Sequence, residues 1–125
     1  KVFGLERWNS DQHTYLVEGP IDSLFLPNCL AMAGADMREL DMLDKSKTTI
    51  IYDNEPRNPH IVKRTADTLK KGWKVVVWPD SVISKDINDM VQSSIKDARL
   101  VEIINRNTYS GQRGEWEVKR WKQSR

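Results

Sequence analysis

Three short apolar runs, each stopped abruptly by carboxylates, constrain this chain more than any other feature. Residues 14–17 (TYLV) run into Glu18-Gly19-Pro20-Ile21-Asp22. Residues 48–52 (TTIIY) run into Asp53-Asn54-Glu55, and residues 74–78 (KVVVW) into Pro79 and then Lys85-Asp86-Ile87-Asn88-Asp89. Each run is a β-branched strand candidate bounded by turn residues. The unbroken apolar character of residues 48–52 points to burial on both faces, as in a parallel sheet. Strands that alternate with helical segments give an α/β class with a central, mostly parallel sheet flanked by helices. In such a sheet the residues just past the carboxyl ends of the strands meet at one edge. Three acidic clusters, Glu18/Asp22, Asp53/Glu55 and Asp86/Asp89, are therefore expected in one place.

Crowded carboxylates must take up protons or bind a cation. Two of them about 4 Å apart repel by roughly 4 kcal/mol at an effective dielectric near 20. Every candidate ligand is an oxygen, so the ion is expected to be hard, Mg²⁺ or Mn²⁺ rather than Zn²⁺. Taken singly, each acid is more simply a helix cap or a solvated loop charge. Three strand-terminal clusters together are not.

The bulk numbers narrow the function classes. A chain of 125 residues fits one domain, 1–125, with a single core, and residues 95–125 read as its C-terminal extension. The net charge of +2 argues neither for nor against nucleic acid. Locally, residues 113–125 hold five basic and two acidic residues. The one cysteine, Cys29, excludes an internal disulfide and fits a reducing compartment, cytoplasmic in expectation. With only His13 and His60 beside it, a tetrahedral zinc site cannot be completed. No apolar run reaches membrane-spanning length and no Gly-x-x-x-x-Gly-Lys loop is present. A first residue other than Met is expected of a piece of a longer protein.

In chain order, residues 1–8 read as a first, edge strand, and His13 as a surface residue. Residues 23–26 form a short helix stopped by Pro27, and residues 30–33 a small-residue strand with Cys29 buried beside it. Asp36 caps a helix from Met37 to about Lys45 that buries Met37, Leu40 and Leu43. The best-punctuated helix opens at Asn58-Pro59 and closes at Gly72, with Lys70 and Lys71 at its negative end. Its inward face is Ile61, Val62, Thr65, Ala66 and Leu69; Lys63 and Arg64 read as solvated. Asp86 opens a short helix with Ile87, Met90 and Val91 inward. Residues 100–104 suit helix or strand, 108–111 a turn, and 115–121 an alternating strand. Trp116 and Trp121, among Lys119, Arg120 and Lys122, either stack on single-stranded bases or close the core. Arg57, two residues past Glu55, either holds a phosphate or pairs with a site carboxylate.

The pentapeptide Glu18-Gly19-Pro20-Ile21-Asp22 resembles the Glu-Gly-x-x-Asp signature of the Toprim domain, and Asp53-Asn54-Glu55 stands where that family carries Asp-x-Asp. Lys85-Asp86-Ile87-Asn88-Asp89-Met90, Asn107-Thr108-Tyr109-Ser110-Gly111 and Trp121-Lys122 are similar, more narrowly, to the catalytic domain of bacteriophage DNA primases. The resemblance covers nearly the whole chain; Glu55 departs from it by one methylene. It implies a Toprim-like fold and magnesium-dependent nucleotidyl transfer, the synthesis of short RNA primers on single-stranded DNA from ribonucleoside triphosphates during DNA replication. It further implies a replicative helicase and other replisome proteins as partners of the full-length protein, in the host cytoplasm, with no membrane. Asp53 and Glu55 would be principal metal ligands, supported by Asp86 and Asp89, with Asp22 a ligand or an orienting acid. Glu18 would transfer a proton or share a metal contact; Glu18, Asp53 and Glu55 form the catalytic set. Lys85 and Arg57 would meet phosphates, and Gly19 would admit the ligand to the backbone. The competing readings are a metal-dependent nuclease on the same scaffold and a non-catalytic module that recruits partners.

Overall fold

A computed structural model describes residues 2–124, apart from the side chains of Met37 and Arg38. Five strands form one sheet: β1 (Thr14–Val17), β2 (Cys29–Ala31), β3 (Thr48–Ile50), β4 (Lys74–Val76) and β5 (Thr108–Tyr109), in the order β2-β1-β3-β4-β5. The first four are parallel, as the apolar runs imply, and β5 runs antiparallel at the edge. All residues of β1, β2 and β3 are buried, which only a sheet covered on both faces allows. This is an α/β architecture with a mostly parallel sheet between helices, consistent with the Toprim-like fold that the resemblance implies. Among the described residues no helix is long and apolar enough to cross a membrane.

The helices are α1 (Pro20–Ser23), α2 (Pro59–Lys70), α3 (Ile87–Gln92), α4 (Asp97–Arg106) and α5 (Gly111–Lys122). They form two contacting groups, α1 with α3 with α4, and α2 with α5. Side-chain parity divides these groups between the two faces of the sheet. Register pairs Tyr15 with Thr49 and Leu16 with Ile50. The Tyr15 hydroxyl donates to Asn105 Oδ1 on α4 (2.7 Å), whereas the Tyr52 hydroxyl meets the Thr68 hydroxyl on α2 (2.8 Å). Odd positions of β1 and β3 thus face α4 and even positions face α2.

Chain order through the sheet creates a crevice. From β1 the chain crosses to β2 on one side, then returns past β1 to β3 on the other. Strand order reverses between β1 and β3, and their carboxyl ends border the position where open α/β sheets bind ligands. Glu18 leaves one of these strands and Asp53 the other.

Several local expectations are corrected. Residues 2–8 make only an antiparallel bridge, Phe3 to Ala31, before Gly4 turns the backbone at φ 100° into a 3-10 turn, Leu5–Arg7; Lys1 lies outside the described residues. Short helix and strand boundaries also shift, to Pro20–Ser23 and Cys29–Ala31. The helix expected after Asp36 is two separate 3-10 turns, Met37–Leu40 and Lys45–Lys47. Asp44 accepts from the Ser46 backbone N–H (2.9 Å) and opens the second turn, which competes with continuing one helix. Leu40 and Leu43 are buried as expected, and the Met37 side chain lies outside the described residues. Residues 97–106 take the helical alternative, burying Leu100 and Ile104. Residues 108–109 are a strand rather than a turn, and 115–121 lie within helix α5. The alternation there misleads because Trp116 is 63% exposed; the buried set is Gly114, Glu117, Val118 and Trp121, a helical stripe.

Candidate active site

Asp53, Asp22 and Asp86 come together at the carboxyl edge, on the face covered by α1 and α3. Asp22 sits in the first turn of α1, where Pro20 occupies a position that needs no N–H donor. Its Oδ1 accepts from the Asn88 backbone N–H on α3 (2.9 Å). Asp86 caps α3, its Oδ1 accepting from the Asp89 N–H (2.8 Å), and Asp89 follows in the first turn. Asp53 lies three residues past the end of β3, and the Glu55 N–H donates to its carbonyl (3.0 Å).

Electrostatics binds these acids into one group. Burial pushes the Asp53 carboxyl up to about 6, and the charges of Asp86, Asp22 and Glu55 push the same way, opposed by Lys85. Asp22 is raised too, first by burial and then by Asp86 and Asp89, against the stabilising Asn88 N–H. Three separate segments thus load negative charge onto one place, but Glu18, expected in the same cluster, is not among them. Among the described residues no three acidic, histidine or cysteine side chains converge closely enough to hold one ion as they stand.

Glu18 stands on the other face. The β1–β3 register, continued by the Ile51 N–H donating to Leu16 O (2.8 Å), sets Glu18 opposite Tyr52 rather than Asp53. Arg64 Nη1 donates to Glu18 Oε2 at 2.7 Å, and the same guanidinium lies 5.8 Å from the Tyr52 ring centroid. Arg64 is therefore not merely a solvated charge. A cleft of about 500 Å³ adjoins the pair, lined also by His60, Lys63 and Asp67 of α2, the last two paired at 2.8 Å, and by Lys71 just past its end.

The remaining expected residues are placed as follows. Arg57 is exposed in the loop after Glu55 and makes no ion pair among the described residues. Glu55 and Arg57 line one shallow pocket with Asn54, Pro56 and Asn58. Lys85 is exposed and acts on Asp53 through space. Gly19 has φ −101°, and a Cβ there would meet nothing within 4 Å. The protein's own packing does not demand glycine at that position. Trp121 closes the core at 2% exposure, while Trp116 remains on the surface.

Two participants carried no readable signal. Asn54, between two acids, looks like a turn residue, yet it is 4% exposed and bonded on every side. Its Nδ2 donates to Val82 O (2.8 Å) and Ser84 O (3.1 Å), and its backbone N–H to Lys85 O (2.6 Å). Its Oδ1 accepts from Trp121 Nε1 (2.9 Å). Arg64 is the other, since nothing in Lys63-Arg64 reveals which side chain crosses to β1.

No family model matches the chain. Its sequence is similar to that of the DNA primase of Enterobacteria phage T4, 35% identical over 114 residues, which cover 89% of this chain and 33% of that protein. The chain spans about a third of the length of that relative, and over this span its sequence is similar to part of a DNA primase.

Proposed function

We propose that this domain carries metal-dependent nucleotidyl transfer, joining ribonucleotides into short primers on a single-stranded DNA template as part of a longer replication primase. The observation that carries the reading is the coupled acid group Asp53, Asp22 and Asp86, delivered by three segments to the edge where the strand order reverses. The similarity to a phage DNA primase supports the choice of chemistry.

The donor set suits Mg²⁺ or Mn²⁺. It is all carboxylate oxygen, and the raised Asp53 and Asp22 would be relieved by a cation. Mg²⁺ keeps several waters and takes one or two carboxylates plus substrate phosphates, so a preformed cage of three acids is not required. Asp53 and Asp86 would hold it, with Glu55, Asp89 and Asp22 adjoining. When bound, the ion supplies charge neutralisation at the attacking and departing oxygens.

The chain's own residues do the positioning. Lys85 and Arg57 flank the acids from the two loops and offer cations to nucleotide phosphates. Glu18 is the proposed acceptor of the primer 3′-hydroxyl proton, its Oε2 aimed by Arg64. Lys71 and Lys63, the latter also paired with Asp67, line the cleft beside Glu18 and suit the backbone of a template or nucleotide. The test incubates the full-length protein with single-stranded DNA, ribonucleotides and Mg²⁺ or Mn²⁺. Primers that vanish in Asp53→Asn are expected; cleavage of the template would mark a nuclease instead, and no product with either would overturn the reading.

A further inference from the structure

We infer that Asn54 and Trp121 form a positioning clamp, by which the C-terminal helix holds the two acid-bearing loops at a fixed separation. The inference rests on the functional reading above and deepens it. The loop that carries Asp53 and Glu55 and the one that runs into Asp86 at the head of α3 repel one another, so something other than charge must keep them adjacent. Asn54 does this directly. It lies between Asp53 and Glu55, and the hydrogen bonds named above reach residues 82, 84 and 85, which lead straight into Asp86, and Trp121 on α5.

The chemistry selects the residue type. The site offers two carbonyl acceptors and one indole donor, and only an amide of this length serves all three. The substitution Asn54→Asp would set a carboxylate against two carbonyl oxygens with no donor between them, and a serine would not span the gap. Trp121 anchors the clamp because it is 2% exposed and cannot swing away. Its neighbour Arg120 fixes the same helix to the chain leaving β4, donating from Nη2 to Trp78 O (3.3 Å) and from Nη1 to Asp80 Oδ1 (2.9 Å). The spacing of the acids is thus built into the protein before any ligand arrives, as a preorganised site requires. Both side chains are buried, Asn54 at 4% and Trp121 at 2% exposure, and both act through Asp53 and Asp86.

Trp121→Phe keeps the ring and removes the N–H, leaving Asn54 Oδ1 without its indole donor. Val118→Ala, a buried change in the same helix with no bond to these loops, reports general loosening. Both are made in the full-length protein. Amide hydrogen exchange is followed without metal, and the Mn²⁺ needed for half-maximal primer synthesis is then measured. Trp121→Phe is expected to speed exchange at the Asn54 and Asn88 amides and to raise the Mn²⁺ requirement about tenfold. At saturating Mn²⁺ its turnover should recover, and Val118→Ala should change neither readout. Asn54→Ser, which leaves the helix core intact, should reproduce the exchange result if Trp121→Phe does not fold. Unchanged exchange at Asn54 and Asn88, or equal changes in Val118→Ala, overturns the clamp. Faster exchange in Trp121→Phe with no primers from the wild type leaves the clamp standing and removes the functional reading.

Discussion

Asp53 holds its charge against its surroundings, and that has a measurable sign. Its carboxyl, raised to about 6, binds a proton more tightly in the folded chain than in the unfolded one. Between about pH 4 and 6 the native state therefore carries more protons, and stability falls as pH rises through that window. A shift of this size unscreened would be about 3 kcal/mol; half exposure to solvent leaves about 1. Asp53→Asn should gain about 1 kcal/mol at pH 8, roughly 3 °C in Tm, and almost nothing at pH 4. Denaturation curves at both values check this, and an equal gain at each would exclude charge relief. Arg64→Gln should cost under about 1 kcal/mol, since the pair with Glu18 is half exposed. Primer synthesis should nonetheless fall at least about tenfold as Glu18 loses its aim; full activity would exclude the positioning role. The acids were readable because each follows an apolar run. Asn54 and Arg64 were not, because their work is done by distant partners: Asn54 is joined to Trp121 and residues 82–85, Arg64 to a strand end 46 positions away.

Helix α2 was legible end to end because its signals are local. Asn58 Oδ1 accepts from the N–H groups of His60 (3.0 Å) and Ile61 (3.4 Å), Pro59 fills the first turn, and Gly72 leaves at φ 94°. Helix α5 was not. One exposed tryptophan converts a helical stripe into apparent alternation, and only packing against α2 decides between the two. That packing is tight at Gly114, where an added Cβ would lie 2.6 Å from Leu69 Cδ2. Alanine gains about 1 kcal/mol in helix propensity, but overpacking a 2%-exposed Leu69 costs about 1–3. Gly114→Ala should thus destabilise by about 1 kcal/mol. Paired with Leu69→Ala, its cost should vanish or reverse, a coupling that a double-mutant cycle in urea would measure. Additive effects would mean that the two helices do not meet as described.

At the scale of the whole molecule the sheet class follows from buried β-branched runs, but the order of strands does not. Strands of three or four residues say nothing about which neighbour they choose, and the return past β1 is set by tertiary packing. That return is what places Glu18 and Asp53 on either side of one crevice, on opposite faces. If the acids share a cation, Mn²⁺ should raise the Tm of the wild type at pH 8 and much less that of Asp53→Asn. The most direct measurement is a crystal of the domain grown with Mn²⁺ and recorded at the manganese absorption edge. An anomalous peak against Asp53 and Asp86 is expected; saturating Mn²⁺ with no peak there, or a peak only elsewhere, would contradict a shared divalent-ion site.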